Sequence, residues 1–245
     1  MWKSNWMVLI AAVFVTGIAV LATTIYLHRA LAHRSLAFHW VADFIFRVIL
    51  WLTTGQEPRA WVAVHRKHHA FTDIEGDPHS PIRLGYWKVQ ILNFWYYAKE
   101  ARNPETIRKF APDIVEDRWD RAVFSRGFIG LGVGIALLCL LLGPWRGAAA
   151  AVAHLFLYVF VLAPLINALG HRWGYRNFEN TAYNSRVLAW FTGGESLHNN
   201  HHAYPRAPKF SIGRFEFDPA WLLILAMSRL RLLKITGEIA KPLST

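Results

Sequence analysis

Two short groups of histidines constrain this chain more than any other feature of its sequence. Each group places three histidines at positions i, i+3 and i+4, which share one face of an α-helix. The groups are His65, His68 and His69, and then His198, His201 and His202. Two helical faces that present six imidazoles predict a metal site, because imidazole nitrogen binds iron, zinc and copper.

Three further histidines are candidates for the same site. His28 and His33 follow one apolar stretch, and His171 follows another. His28 and His33 lie about 140° apart around an ideal α-helix, so both face one site only if the helix unwinds or ends between them. Together the candidates make nine imidazoles, more than one ion needs, so we expect two metal ions.

The remaining histidines, His39, His79 and His154, do not fit this pattern. His154 lies inside an apolar stretch and is expected to hydrogen-bond a neighbouring helix. Metal-bound imidazoles are usually oriented through their second ring nitrogen. The candidates for that role are Asn167, Glu195, Asp73, Asp77 and His79, together with Asn199 and Asn200.

Asn167 lies one helical turn before His171, so we expect it to hold a water molecule on the metal. The aspartates and the other asparagines could equally serve turns of the chain.

The chain is both apolar and strongly basic. Its 245 residues are 54% hydrophobic and carry a formal net charge of +11, with a mean hydropathy of +0.21. This combination is typical of a membrane protein with a basic cytoplasmic face, and no RNA-binding signature favours nucleic acid as a partner. The single cysteine, Cys139, excludes an internal disulfide framework and a thiolate zinc cluster.

Three apolar stretches are expected to span the membrane. They are residues 6–27, 128–142 and 148–169, and the last two form a helical hairpin. A cleaved signal peptide is disfavoured for the first, because its apolar core is too long. As a helix, residues 40–54 cover about 22 Å, less than the hydrocarbon core of about 30 Å, so we interpret them as an interfacial or protein-buried helix.

The predicted fold is an all-α integral membrane domain over residues 1–245. Residues 28–127 and 170–245 form a helical cap that holds the metal site. Of 27 Lys and Arg residues, only Lys3 and Arg146 fall on the other side, so the cap is predicted to be cytoplasmic, with the N-terminus outside. Within the cap, Asp218 and Pro219 are expected to begin an amphipathic helix that lies on the membrane surface.

The ligand set favours redox chemistry over hydrolysis. A catalytic zinc site needs three protein ligands and an open position, whereas nine neutral imidazoles without a bridging carboxylate favour O2 activation. Zinc cannot change valence, but two irons can. A site at the ends of membrane helices would meet a lipid chain. A membrane metal transporter would instead place polar ligands within its spans.

The motifs together resemble those of the membrane-bound, histidine-box fatty acid desaturases, in particular the stearoyl or delta-9 branch. They are His28-x4-His33, His65-x2-His68-His69, Asp77-Pro78-His79, Asn167-x3-His171, Gly194-Glu195 and His198-x2-His201-His202, over residues from about 24 to about 235. The resemblance implies a mushroom-like helical fold, usually with four spans where three are evident here. It also implies two iron ions and O2-dependent insertion of a cis double bond into a saturated acyl chain. A di-iron lipid hydroxylase or ketolase is the alternative, since the same irons could serve either reaction.

The resemblance further implies partners outside the chain. An external electron donor is expected, either a ferredoxin or a b-type cytochrome with its reductase, because the sequence contains no such domain of its own. The expected location is a multi-pass position in a bacterial inner membrane, among membrane lipids.

The expected substrate is an acyl chain linked to a lipid or to CoA. Animal acyl-CoA members carry an Arg–Asp pair before the second histidine group, where this chain has Ala63 and Val64. That difference favours a lipid-linked chain. Thr16, Val20 and Thr24 continue the row of the first histidine in steps of four. They are candidates for the wall of an acyl tunnel, but they could as well face lipid or another helix.

Overall fold

Helices form most of the computed structural model, which describes residues 2–241, although the side chains of residues 2–5, Lys3 among them, lie outside that description. In chain order, the α-helices of the described part are α1 (Trp2–Ala22), α2 (Trp40–Thr53), α3 (Pro58–Ala70), α4 (Pro81–Leu84), α5 (Tyr86–Glu100), α6 (Pro104–Phe110), α7 (Gly127–Leu142), α8 (Pro144–Phe156), α9 (Ala163–Asn167), α10 (Arg186–Ala189), α11 (His198–Ala203) and α12 (Pro219–Arg229). Wider π-helical turns span Thr23–Ala32, Asp120–Phe124 and Leu157–Leu162, and a 3-10 turn spans Leu169–His171.

Two long composite helices lead to the histidines. α1 continues through the first π-helical turn, and α8 continues through another π-helical turn and α9. The resulting segments, Trp6–Ala32 and Pro144–His171, are each long and apolar enough to cross a membrane. They contain the predicted spans 6–27 and 148–169. α7 closely matches the predicted bounds 128–142, but its 16 residues are fewer than the roughly 20 that an upright span needs, so a third span stays a prediction.

The two composite helices run parallel, so their C-terminal ends lie together. The hydroxyl of Thr16 is 3.0 Å from Nδ1 of His154, and further along both helices the hydroxyl of Thr23 is 2.6 Å from that of Tyr158. The second nitrogen of His154 donates to the carbonyl of Thr53 at 2.8 Å. The predicted role of His154, a hydrogen bond to a neighbouring helix, is therefore confirmed.

α2 packs against α1 and α7, as expected for a protein-buried helix at 40–54. The α7 glycines Gly130 and Gly134 lie directly on the backbone oxygens of Trp51 and Leu52, where any Cβ would collide. The chain then turns into α3, which brings the imidazole of the first α3 histidine to the end of the first composite helix. The chain between His33 and His65 therefore runs away from the histidine cluster through α2 and returns to it in α3.

A two-stranded antiparallel sheet corrects the all-α prediction. Strand β1 (Leu36–Phe38) pairs with β2 (Leu233–Ile235), and Ala37 lies opposite Lys234. Three-residue strands are too short to show an alternating pattern in the sequence. The sheet ties the segment that follows the first histidines to the chain beyond α12.

α12 begins at the predicted cap, where the carboxylate of Asp218 accepts a hydrogen bond from the helix's first turn. It ends at Arg229, shortly before β2. One face of α12 packs in the main apolar core, where Ile224 shares a cluster with Ile25 and Leu50. Its expected position on the membrane surface stays a prediction.

Candidate metal centre

All nine candidate histidines converge on one region, although they come from four separate parts of the chain. Their ring nitrogens form two adjoining groups, and within each group the nitrogens lie within 4.8 Å of one another. The five-histidine group is His28, His33, His65, His69 and His201. The four-histidine group is His68, His171, His198 and His202.

The π-helical turn at the end of the first composite helix brings His28 and His33 together. Its backbone hydrogen bonds join residues five apart, as from the amide of His33 to the carbonyl of His28 at 3.0 Å. Residues five apart therefore lie nearly above one another, instead of about 140° apart. The ring centroids are 4.9 Å apart. The sequence predicted an unwound or ended helix between them, whereas the helix widens and ends only at His33.

Helices α3 and α11 each serve both groups. α3 gives His65 and His69 to the five-histidine group and His68 to the other. α11 gives His201 to the five-histidine group and its other two histidines to the four-histidine group. The rings of His69 and His202 stack across the boundary, with centroids 4.4 Å apart. The repeated i, i+3, i+4 spacing thus distributes ligands between two neighbouring sites.

The spacing of the nitrogens fits metal ions. Nε2 of His33 is 2.8 Å from that of His65, and Nε2 of His171 is 3.0 Å from that of His198. Two nitrogens bound to one ion at right angles, each about 2.1 Å from it, lie about 3.0 Å apart. Nε2 of His68 is buried and has no hydrogen-bond partner among the described residues. An ion would satisfy this nitrogen, whereas an uncompensated buried polar atom is costly.

Three carboxylates hold the other nitrogens of these rings. Nδ1 of His28 is 2.6 Å from Glu195, and Nδ1 of His171 is 2.9 Å from Asp73. Nδ1 of His68 is 3.0 Å from both carboxylate oxygens of Asp77. A carboxylate that accepts the Nδ1 proton leaves the Nε2 lone pair for a metal. The three acidic residues predicted from the sequence therefore lie where orienting groups are needed.

Burial sets the charge of the cluster. Burial first, and neighbouring imidazoles second, lower the pKa values of His33, His65 and His69 well below the usual value. The same causes act on the three histidines of α11. Burial alone would raise the pKa of Asp77, but its hydrogen bond to His68, the charges of the imidazoles of His68 and His79 and a hydrogen bond from the backbone amide of Asp73 together outweigh burial and hold the pKa well below the usual range. Neutral imidazoles and ionised carboxylates are the forms that a metal site requires.

Comparison with known proteins agrees with this geometry. A profile of the fatty acid desaturase family matches residues 4–216. The chain belongs to the fatty acid desaturase family. This confirms the resemblance drawn from the histidine motifs and makes the protein an oxidoreductase of that family.

Relatives of this desaturase include enzymes from plants and cyanobacteria. It is 32% identical over 246 residues to the acyl-CoA C20 Delta5-desaturase of Anemone leveillei, covering 98% of this chain and 77% of the relative. It is 33% identical over 210 residues to the sn-2 palmitoyl-lipid 9-desaturase of Nostoc sp., covering 84% and 73%. It is 31% identical over 231 residues to Delta-9 acyl-lipid desaturase 2 of Arabidopsis thaliana, covering 91% and 71%.

The other predicted orienting residues of this desaturase lie in varied places. His79 is buried and stacks on His68 with centroids 4.7 Å apart. Asn167 donates a hydrogen bond to Asn93 at 2.9 Å, and its expected role with a metal-bound water stays a prediction. The α11 asparagines bond to neighbouring loops and to no imidazole among the described residues.

The three candidate tunnel residues are all buried along one face of the first composite helix. Thr16 contacts α8 through His154, and Val20 packs in a small apolar cluster with Tyr158. The hydroxyl of Thr24 donates to Glu195, the carboxylate that holds the first histidine. The row therefore runs from the histidine cluster along the contact between the two composite helices, and its contact with an acyl chain stays a prediction.

A buried ion pair behind the five-histidine group escaped the sequence analysis. Arg29 meets Asp218 through two hydrogen bonds, each of 3.0 Å. Its guanidinium also lies 3.9 Å from the ring centroid of Phe210, and that ring packs against His28 and His201. An arginine beside His28, at the end of a long uncharged stretch, was the signal that could have indicated it.

A polar cavity of about 490 Å³ opens beside both groups. Its lining includes His33 and His69 from the five-histidine group and His202 from the other. Arg66 and Thr72 of the α3 region complete that side. The histidine cluster therefore has a direct approach from the aqueous surface.

Proposed function

We propose that this desaturase inserts a cis double bond, at the delta-9 position, into the saturated acyl chain of a membrane lipid. It would use O2, two histidine-held iron ions and electrons from an external donor. The observation that supports this most directly is the pair of adjoining, buried imidazole groups, because two such sets can hold two redox-active ions side by side.

The acyl-lipid assignment is supported by the relatives and by α3. Two of the relatives named above act on acyl lipids at position 9, as their names state, and another acts on acyl-CoA. In this chain Ala63 and Val64 are buried, and Ala63 lies in an apolar cluster with Ala32 and Ala111. This part of α3 therefore offers no charged group to a CoA moiety.

The five-histidine and four-histidine groups would each hold one iron. Bound iron would supply the redox capacity to remove hydrogen from unactivated carbon with O2. In balance, the acyl chain loses one hydrogen from each of two neighbouring carbons. With O2, two electrons and two protons this yields the alkene and two water molecules. A hydroxylase would instead add an oxygen atom to the chain.

The chain's own residues prepare this chemistry. Glu195, Asp73 and Asp77 hold the Nδ1 atoms of three imidazoles, so that the opposite lone pairs would be free to bind the ions. Thr16 and Val20 would guide the acyl chain, and the length of that path would set which carbon pair reaches the centre.

Electrons would arrive through the polar cavity. His69 and His202 bring metal-facing imidazoles to its wall, and their stacked rings lie across both groups. A ferredoxin or b-type cytochrome that docks over this opening would lie close to both ions. The net charge of +11 would attract an acidic carrier. The basic composition also supports placing this side in the cytoplasm of a bacterial inner membrane.

Lipid analysis of a host that expresses the chain tests the proposal. Cells with the wild-type protein should accumulate a mono-unsaturated chain in their membrane lipids, identified by a mass two hydrogens below its precursor. His68→Ala should reduce this product at least about 100-fold, since it removes a ligand, while the exposed His39→Ala should not. A hydroxylated product, or full activity of His68→Ala, would overturn the proposal.

A further inference from the structure

Many hydrogen bonds hold the face of α11 that points away from the histidine groups. The helix presents three histidines to the metal groups, and its two asparagines point the other way. Asn199 accepts hydrogen bonds from the amides of Asn177 and Phe178, at 2.8 Å and 2.9 Å. Its side-chain nitrogen donates to the carbonyl of Ala182 and to the side chain of Asn180. These contacts fasten the helix to the loop before it.

Asn200 fastens α11 to the chain that follows. Its side-chain nitrogen donates to the carbonyl of Phe210 at 2.9 Å and to Oε2 of Glu216 at 2.7 Å. Its oxygen accepts from the side chains of Asn177 and Asn184. Every donor and acceptor of this buried amide is therefore used.

Glu216 is the point where these contacts meet. Oε1 accepts from the hydroxyl of Tyr175 at 2.8 Å and from the side chain of Asn177 at 2.7 Å. Oε2 accepts from the side-chain amide of Asn200 at 2.7 Å and from the backbone amides of Ile212 and Gly213 at 2.7 Å and 2.8 Å. Five neutral donors thus converge on one carboxylate, from before and after α11.

We infer that Glu216 is a positioning residue for the metal centre, acting through Asn200 to set the orientation of α11. Because α11 supplies ligands to both groups, a small rotation of this helix would disturb both ions together. The inference rests on the proposed function, since it assigns the carboxylate to the iron-loaded centre. Glu216 itself touches neither imidazole group.

Glu216→Gln is the sharpest variant, because it keeps the size of the side chain. Both carboxylate oxygens are acceptors here, and an amide replaces one of them with a donor. Whichever way the amide turns, at least two donors lose their acceptor and face another donor. The matched control is Glu179→Gln, which changes the same functional group at an exposed position in the neighbouring loop.

The test compares iron retention and kinetics in the purified full-length protein. For Glu216→Gln we expect iron loss to a chelator to be about 10–100-fold faster, the range for outer-shell changes. The Mössbauer spectrum should change, and kcat should fall with KM for the acyl substrate within about threefold. Glu179→Gln should match the wild type. A folded Glu216→Gln protein with wild-type iron retention, spectrum and kcat would overturn the inference.

A second variant covers the case in which Glu216→Gln fails to fold. Tyr175→Phe removes one of the five hydrogen bonds and leaves the carboxylate and Asn200 in place. It should accelerate iron loss about threefold, within the usual effect of one hydrogen bond, and an unchanged rate would count against the inference. If the wild-type protein binds no iron, the proposed function fails instead. If the wild type binds two irons and both variants lose them at the wild-type rate, the inference alone is rejected.

Discussion

The five-histidine and four-histidine groups are neighbours with different surroundings. The first has five imidazoles, and one carboxylate, Glu195, holds one of them from behind. The second has four imidazoles, and Asp73 and Asp77 each hold one. His79 also stacks against it. With one imidazole fewer, the second group would leave more coordination positions of an ion free, and two carboxylates hold its imidazoles instead of one.

The difference originates in the chain. The five-histidine group depends on the π-helical turn that brings His28 and His33 onto one face. The four-histidine group depends on the turn that follows α3. In this turn Asp73 has a positive φ of 61°, and the carboxylate of Asp77 accepts a hydrogen bond from the backbone amide of Asp73. One site is built by the winding of the first composite helix, and the other by a loop that folds back.

Ligand removal is the strongest way to break this comparison. His201→Ala takes one imidazole from the five-histidine group, and His198→Ala takes one from the four-histidine group. Each should reduce desaturation at least about 100-fold and lower bound iron from about two ions to about one. Metal analysis and product assays check this result. Either variant with full activity and both ions would contradict the ligand assignment.

Removal of the carboxylate charges that orient the imidazoles should affect the two groups one at a time. Glu195→Gln should lower the iron affinity of the five-histidine group, and Asp77→Asn that of the four-histidine group, each by about 10–100-fold. Chelator titration followed by Mössbauer spectroscopy would show which ion leaves first. Loss of the same ion in both variants would contradict the division into two groups.

Acid should destabilise the metal-free protein. Burial first, and neighbouring imidazoles, lower the pKa values of His69 and His198 in the folded state, and burial lowers that of His79 to about 3. The unfolded chain takes up these protons near pH 6.5. The folded pKa values are the lower ones, so stability is present above about pH 6.5 and is lost as the pH falls below it, by up to about 1.4 kcal/mol per pH unit for each such histidine.

Thermal unfolding of the chelator-treated protein at pH values of about 7.5, 6.5 and 5.5 measures this loss. The midpoint should fall mainly between the last two values. A midpoint that stays constant or rises on acidification would contradict the description of the cluster as neutral when folded.

The smallest expected effect concerns two threonines of one row. Thr24→Val removes the hydroxyl that bonds to Glu195 and should weaken iron retention by about fivefold, the value of roughly one hydrogen bond. Thr16→Val removes a hydroxyl that bonds to Ala12 and His154, so it should leave iron retention unchanged. Equal effects of the two variants on chelator kinetics would show that Thr24 does not act through Glu195.

The sequence predicted which histidines come together better than it predicted the structure that brings them together. The i, i+3, i+4 spacing follows directly from α-helical geometry, so α3 and α11 could be expected to present their imidazoles together. The carboxylates Glu195 and Asp73 could be proposed because metal-bound imidazoles need such partners. The family followed from the joint motifs, and the family comparison confirms it.

What the sequence did not reveal depends on contacts between distant residues. Arg29 and Asp218 are 189 positions apart, and nothing local marks them as partners. Glu216 reads as an ordinary polar residue until five donors from three segments surround it. The π-helical turn packs on α3 and α12, and nothing in the sequence indicated those contacts. This turn brings two candidate ligands, His28 and His33, into one group.

Mössbauer spectroscopy with metal analysis of the purified, iron-loaded wild-type protein tests the central claim most directly. The account predicts about two iron ions per chain, with two distinguishable nitrogen-ligated sites of equal occupancy. A single iron, zinc in place of iron, or no retained metal would contradict it.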